Sequence, residues 1–156
     1  MLANLTIEYR KATKDDAKII YNWANESIVR EASFYSEPIS WEKHLIWFNK
    51  KLYDENTLIL IFQHENVPVG IVRIEKTNEI IIGISIDKKF RGKKLAPVIL
   101  KMACAEFWKK TNDPILAFIK KNNATSVKSF DSAGFSFYKN DIVNGKDCFV
   151  YIKKNK

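Results

Sequence analysis

Between residues 58 and 87 apolar positions recur almost without break in three runs, Leu58 to Phe62, Val69 to Glu75 and Glu79 to Asp87. Short turns containing Asn66, Pro68 and Thr77-Asn78 separate them, and β-branched runs of this length predict strands. Leu5 to Ala12 predict a first strand, and Thr13 to Asp16 has capping-box form ahead of a helix carrying Ala17, Ile20, Tyr21 and Ala24. A second helix starts after Pro38-Ile39, with Ser40 as its cap and Trp41, Leu45, Phe48 and Leu52 as one apolar stripe. Downstream the pattern predicts a helix from Leu95 to about Lys109 and a buried strand from Ile115 to Lys120. A helix then runs from Asn123 to Gly134-Phe135. Phe135 to Asn140 and Cys148 to Lys153 close the chain as two strands joined around Asn144-Gly145. Strands and helices alternate without repeat or low-complexity linker, so residues 1–156 are expected to form one α+β domain around a mixed sheet.

Composition narrows the picture. A chain of 156 residues with 46% hydrophobic content is long enough for one sizeable core and short for two. The N-terminus has no basic start followed by an apolar segment, and no apolar run reaches the ~20 positions of a membrane helix. A cytoplasmic location with no membrane partner is the expectation. Cys104 and Cys148 read as two buried reduced thiols, and with His44 and His64 they offer no metal-ligand spacing. The net charge of +8 implies an acidic partner. The lysines are scattered and no nucleic-acid recognition pattern is evident, so a polyanionic small molecule is expected rather than DNA or RNA.

The chemistry concentrates where the run ending at Asp87 enters Lys88 to Ala96, a basic, glycine-bearing turn that opens a helix. A helix N-terminus carries unpaired N–H groups and about half a positive charge, so this turn is an anion cradle. It lacks the Gly-Lys-Ser/Thr ending of a P-loop and is not the Rossmann glycine pattern. It resembles instead the Gln/Arg-x-x-Gly-x-Gly/Ala segment of the GNAT acetyltransferases. Arg91 fills the first position and Ala96 the last, with Gly92, Lys93 and Leu95 between, and Lys94 stands where the family usually has glycine. Asn123, Ser126, Phe130, Gly134 and Phe135 match the family's following segment in order and spacing, and the resemblance covers essentially the whole chain.

The resemblance implies a GNAT fold, with about seven strands, about four helices and splayed, parallel fourth and fifth strands. It implies acetyl-CoA as co-substrate and no metal. The diphosphate would lie on Arg91 to Ala96, backbone groups near Ser85, Ile86 and Asp87 would bond the pantetheine amides, and Asn123 and Phe130 would line the thioester end. An amine attacks directly, so a base must take a proton. Glu79 lies on the face expected for that base, and Glu75, at the end of the preceding strand, is an alternative on the acceptor side. Phe130 replaces a tyrosine that serves many relatives as proton donor, leaving Ser126, Ser129, Tyr138 or water.

Trp23-x-Asn25, Val29-Arg30, Ile39-Ser40 and His44-x-x-Trp47-Phe48 are similar to the amino-sugar branch of the family, on the pseudaminic acid route. That similarity implies the amine of a nucleotide-linked amino sugar as acceptor, with Arg30 and His44 beside it. From the residues alone, His44 fits a packed histidine as well as a proton shuttle, and Arg30 fits a surface salt bridge as well as a forked phosphate contact. The alternatives are a protein N-terminal or ribosomal-protein acetyltransferase and a non-catalytic acyl-CoA-binding domain. Monomer and homodimer both stay open.

Overall fold

Antiparallel ladders through the apolar runs set the centre of the sheet. The computed structural model describes residues 5–156, and the first four residues, on which part of the N-terminal reading rests, lie outside the described residues. β1 (Glu8–Lys11), β2 (Thr57–His64), β3 (Val67–Lys76), β4 (Ile80–Ile86), β5 (Ile115–Lys120), β6 (Ser136–Val143) and β7 (Lys146–Lys153) form one sheet in the order β1-β2-β3-β4-β5-β7-β6. Five helices flank it: α1 (Ala17–Ala24), α2 (Ser27–Ala32), α3 (Trp41–Leu52), α4 (Leu95–Phe107) and α5 (Ala124–Ser132). This is the arrangement that the resemblance implies, with α2 as an additional short helix.

Each face of the sheet has its own packing. Leu60, Phe62, Val72, Ile74, Ile80 and Ile82 pack against Leu95, Ile99, Leu100 and Ala103 of α4 and Phe130 of α5. On the opposite face Ile59, Ile61 and Ile71 meet Ile20 and Trp23 of α1 and Phe48 of α3. The period of two along each strand produces this separation. Cys104 and Cys148 are both free and buried, and burial pushes the Cys104 thiol up to about 11. Among the described residues no helix is long and apolar enough to cross a membrane.

Local signals are realised in detail. Thr13 and Asp16 form a reciprocal capping box before α1, and Ser40 Oγ accepts the Lys43 N–H at the start of α3. The Asn144-Gly145 turn takes φ of 48° and 72°, the left-handed pair of a tight hairpin. α5 ends in a Schellman motif: the Gly134 N–H reaches the Asp131 carbonyl, and the Phe135 N–H reaches that of Phe130. Gly134 takes φ of 95° there, and the Phe130 and Phe135 rings meet edge to face at 5.0 Å. The α3 stripe is rotated from the expected one. Its buried positions are His44 and Phe48, while Trp41 lies exposed against the edge of Tyr21.

β4 and β5 position the site. β3 and β4 pair continuously from Gly70↔Ile86 to Lys76↔Ile80, whereas the parallel strands β4 and β5 share the single register pair Ile81↔Leu116. Beyond that pair the two strands diverge, and a gap opens toward their C-terminal ends.

Candidate active site

The basic turn sits at the mouth of this gap. Gly92 and Lys94 both adopt left-handed backbone, with φ of 75° and 60°, and Lys94 is the N-cap of α4. The N–H groups of Gly92 to Ala96 carry no hydrogen bond, and Pro97 has none to offer. The turn therefore presents a run of free donors backed by the α4 dipole and by Lys93 and Lys94. Lys94 thus holds a conformation that glycine adopts without strain.

Arg91 ties two segments of the chain together. Its Nε donates to the Ile86 carbonyl at 2.9 Å, and one terminal nitrogen pairs with Glu26 Oε1 at 2.8 Å. The guanidinium thus ties the end of β4 to the segment between α1 and α2 while also lining the cavity. Asp87 makes the neighbouring tie: Oδ2 accepts Trp23 Nε1–H at 2.8 Å and Oδ1 accepts the Lys89 N–H at 2.9 Å. Burial opposes its charge, but the Trp23 and Lys89 hydrogen bonds and nearby cations hold the carboxyl below its usual range.

Hydrogen-bond direction along β4 corrects part of the sequence reading. The Asp87 N–H donates to the Val69 carbonyl at 2.7 Å. In an antiparallel pair this alternates, so the backbone of Ser85 and Asp87 faces β3 and that of Ile84 and Ile86 faces the gap. The Ile86 carbonyl is already taken by Arg91. The N–H groups of Ile84 and Ile86 are the donors directed at the gap, and Ser85 contributes its side chain to the cavity wall.

The gap widens into a cavity of about 730 Å³. On one side stand Ala96, Asn123, Ser126, Ser129 and Phe130; on the other, Trp23, Arg30, His44, Trp47, Arg73 and Gly83. Asn123 Oδ1 caps α5 by accepting the Ser126 N–H at 3.2 Å. The Ser126 and Ser129 hydroxyls lie one turn apart on the wall, beside the Phe130 ring.

Glu79 and Tyr138 are not in this cavity. Both line a separate, shallower depression at the N-terminal end of β4, with Lys76 and Asp113. Glu79 lies in the turn just before β4, more than about 20 Å along the chain from Ile86. Glu75 is also outside the cavity, bonded to Lys51 and to Arg73. It holds Arg73, whose guanidinium lies over the Trp47 ring at 5.0 Å.

Arg30 forms no salt bridge. Nε donates to the Ala24 carbonyl, one terminal nitrogen to the carbonyls of Tyr35 and Glu37, and the other to Ser33 Oγ. All four acceptors are neutral, so the cavity-lining cation has no counterion among them. Burial and the neighbouring Arg73 lower its pKa from the ordinary guanidinium value. His44 is 2% exposed, stacks on Phe48 and bonds the Ala17 carbonyl through Nε2 at 2.8 Å. A carbonyl accepts only from N–H, which leaves Nδ1 as the lone-pair atom of the neutral ring. Burial lowers the His44 pKa against the opposing pull of that hydrogen bond.

The titratable groups lining the cavity are therefore Arg30, His44, Arg73 and Arg91, with no carboxylate. The sequence reading did not single out Arg73, Glu26 or Ile84. Glu26 and Arg91 are 65 residues apart, and no local pattern joins them. Among the described residues no cluster of three or more His, Cys, Asp or Glu side chains is placed to hold a metal ion.

Residues 6–136 match the acetyltransferase (GNAT) domain family. No curated protein matches the chain. Solved structures with a similar fold include spermidine N-acetyltransferase from Vibrio cholerae in complex with CoA and spermine. It is 18% identical, with 95% of each chain covered and a TM-score of 0.83. YncA from Salmonella typhimurium, solved with its cofactor acetyl-CoA, is 17% identical, with 95% of this chain and 93% of that one covered and a TM-score of 0.78. AAC(6')-Ib in complex with ribostamycin and coenzyme A is 14% identical, with 96% and 93% covered and a TM-score of 0.80. At these identities the likeness is one of fold.

Proposed function

The chain belongs to the GNAT acetyltransferase family, and we propose that it moves the acetyl group of acetyl-CoA to the amine of a nucleotide-linked amino sugar. The observation that carries the choice of acceptor is the charge of the cavity wall. Three arginines and a neutral histidine line it and no carboxylate faces the space; Arg73 and Arg91 are paired with Glu75 and Glu26 behind the wall, and Arg30 has no counterion. The spermidine and aminoglycoside enzymes of similar fold act on cationic amines. A polyamine, an aminoglycoside or a basic peptide entering this cavity would meet like charge, whereas an acceptor carrying a diphosphate would meet opposite charge.

The residues fit acetyl-CoA. The free N–H groups of Gly92 to Ala96, with Lys93 and Lys94, suit a diphosphate, and the gap between β4 and β5 suits an extended arm. When bound, acetyl-CoA supplies a thioester whose carbonyl is the electrophile. The N–H groups of Ile84 and Ile86 are donors fixed in the direction of that gap, where negative charge would develop on a carbonyl oxygen. Positive charge from Arg30, which no carboxylate offsets, disfavours the ammonium form of an amine beside it and so favours the nucleophilic form. His44, neutral with its lone pair on Nδ1, is the cavity-lining side chain that can accept the amine proton, as a base weakened by burial. Ser126 and Ser129 are the hydroxyls on the wall near Phe130 that can return a proton to the leaving group.

Calorimetry on the CoA-loaded protein tests the acceptor. A UDP-linked amino sugar should bind with affinity that Arg30→Gln lowers, and spermidine should not bind. Tight binding of spermidine or a basic peptide, with none of any nucleotide-linked amino sugar, would overturn the assignment.

A further inference from the structure

β6 closes the sheet at the end opposite β1, and its outer edge is unpaired among the described residues. β1 spans four residues, but β6 spans eight and contains neither proline nor glycine. Tyr138 and Ile142 on it are 53% and 64% exposed. An open strand of this length is a template for another strand.

Its backbone is oriented for pairing. The two-residue Asn144-Gly145 turn makes Val143 and Lys146 a hydrogen-bonded pair, so Asp141 bonds β7 in the same way. Asn140 and Ile142 then direct their N–H and C=O groups to the open edge. The Ile142 N–H indeed finds no strand and is held by Asp141 Oδ1 at 2.8 Å. Tyr138 has no β7 partner and is the extra residue of a bulge between Phe137 and Lys139, so the regular outer edge runs from the Tyr138 carbonyl through Ile142.

The side chains of that stretch are complementary to their own reverse. About a two-fold axis through Asn140, Lys139 falls opposite Asp141 of a second copy, and the Tyr138 carbonyl falls opposite the Ile142 N–H. Each contact occurs twice, as an isologous interface requires. Within one chain Lys139 and Asp141 share a face, with Nζ and Oδ2 3.9 Å apart, and both side chains are substantially exposed.

We infer that β6 is a self-pairing edge: two copies of this protein join antiparallel through Tyr138 to Ile142 and continue the sheet across the dimer. On pairing, the Asp141 carboxylate leaves the Ile142 N–H for Lys139 of the second copy, and that N–H goes to a strand carbonyl. Analytical ultracentrifugation of the whole chain tests this. Wild type should be dimeric. Lys139→Asp gives an edge with two acids and Asp141→Lys an edge with two bases, so each alone should be monomeric. An equimolar mixture of the two should form a heterodimer, because every cross-edge pair is again opposite in sign. Asn140→Pro, which removes an edge-facing donor without touching the β7 ladder, should also give a monomer. Circular dichroism matching wild type shows that each variant is folded. A wild type that is monomeric at every concentration, a dimer that persists in both charge variants, or variants that do not pair when mixed would overturn the inference.

Discussion

Replacing Lys94 by glycine should make the protein more stable while weakening its hold on CoA. Lys94 sits at φ of 60° and ψ of 31° at the start of α4. A side chain in this left-handed region costs about 1–2 kcal/mol through the close approach of Cβ to the carbonyl. Glycine removes that cost, but its greater freedom in the unfolded chain returns about 0.5–1 kcal/mol. The net gain is about 0.5–1 kcal/mol, which for a domain of this size raises Tm by roughly 1–4 °C. Lys94→Ala keeps Cβ and the strain, so its Tm should stay close to that of wild type. Both variants lose the same exposed cation and should lose CoA affinity about equally, by roughly two- to five-fold, the range of an exposed ion pair. Thermal denaturation and calorimetry on the three proteins separate backbone from charge. A glycine variant less stable than wild type, or an alanine variant stabilised as much, would refute the strain argument.

Charge reversal at Arg91 should weaken CoA binding far more than reversal at Lys109 beyond the other end of α4, and equal losses by calorimetry would remove Arg91 from the diphosphate site. Ser126→Ala should lower kcat, whereas Glu79→Gln and Tyr138→Phe should leave it unchanged, since both lie in the separate depression; steady-state kinetics decides. His44 gives a stability slope with pH. Its folded pKa lies below the ordinary value near 6.5, so the unfolded chain takes up the proton first as pH falls. Its contribution is complete above that ordinary value and is lost as pH falls through the lowered folded one, at no more than about 1.4 kcal/mol per pH unit. Urea denaturation across this window should show a shallower pH dependence in His44→Gln than in wild type.

Local signals made the fold readable. The Ser40 cap, the capping box from Thr13 to Asp16 and the Asn144-Gly145 turn act within a few residues of themselves, and each appears where the sequence put it. α2 was missed because its six residues include no buried position and so carry no apolar period. At the site, parity along β4 said nothing of the height of Glu79, which lies in the turn before the strand begins. Which β4 amides face the gap depends on the register with β3, which only the Val69–Asp87 hydrogen bond fixes. Arg30 read as a phosphate contact or a surface salt bridge and Arg91 as part of the diphosphate turn, because their partners, the carbonyls of the segment before α3 and the Glu26 carboxylate, come together only in the folded chain. The position of Phe130 was legible from its spacing, but its packing against Phe135 in the helix cap came from the structure.

The most direct test is the initial rate of thiol release from acetyl-CoA with UDP- and dTDP-linked amino sugars, spermidine and basic peptides as acceptors. A cationic cavity without a carboxylate predicts turnover with a nucleotide-linked amino sugar, and kcat/KM for it well above that for any polyamine or peptide. Efficient acetylation of spermidine or a basic peptide, with no nucleotide-linked amino sugar accepted, would contradict the account.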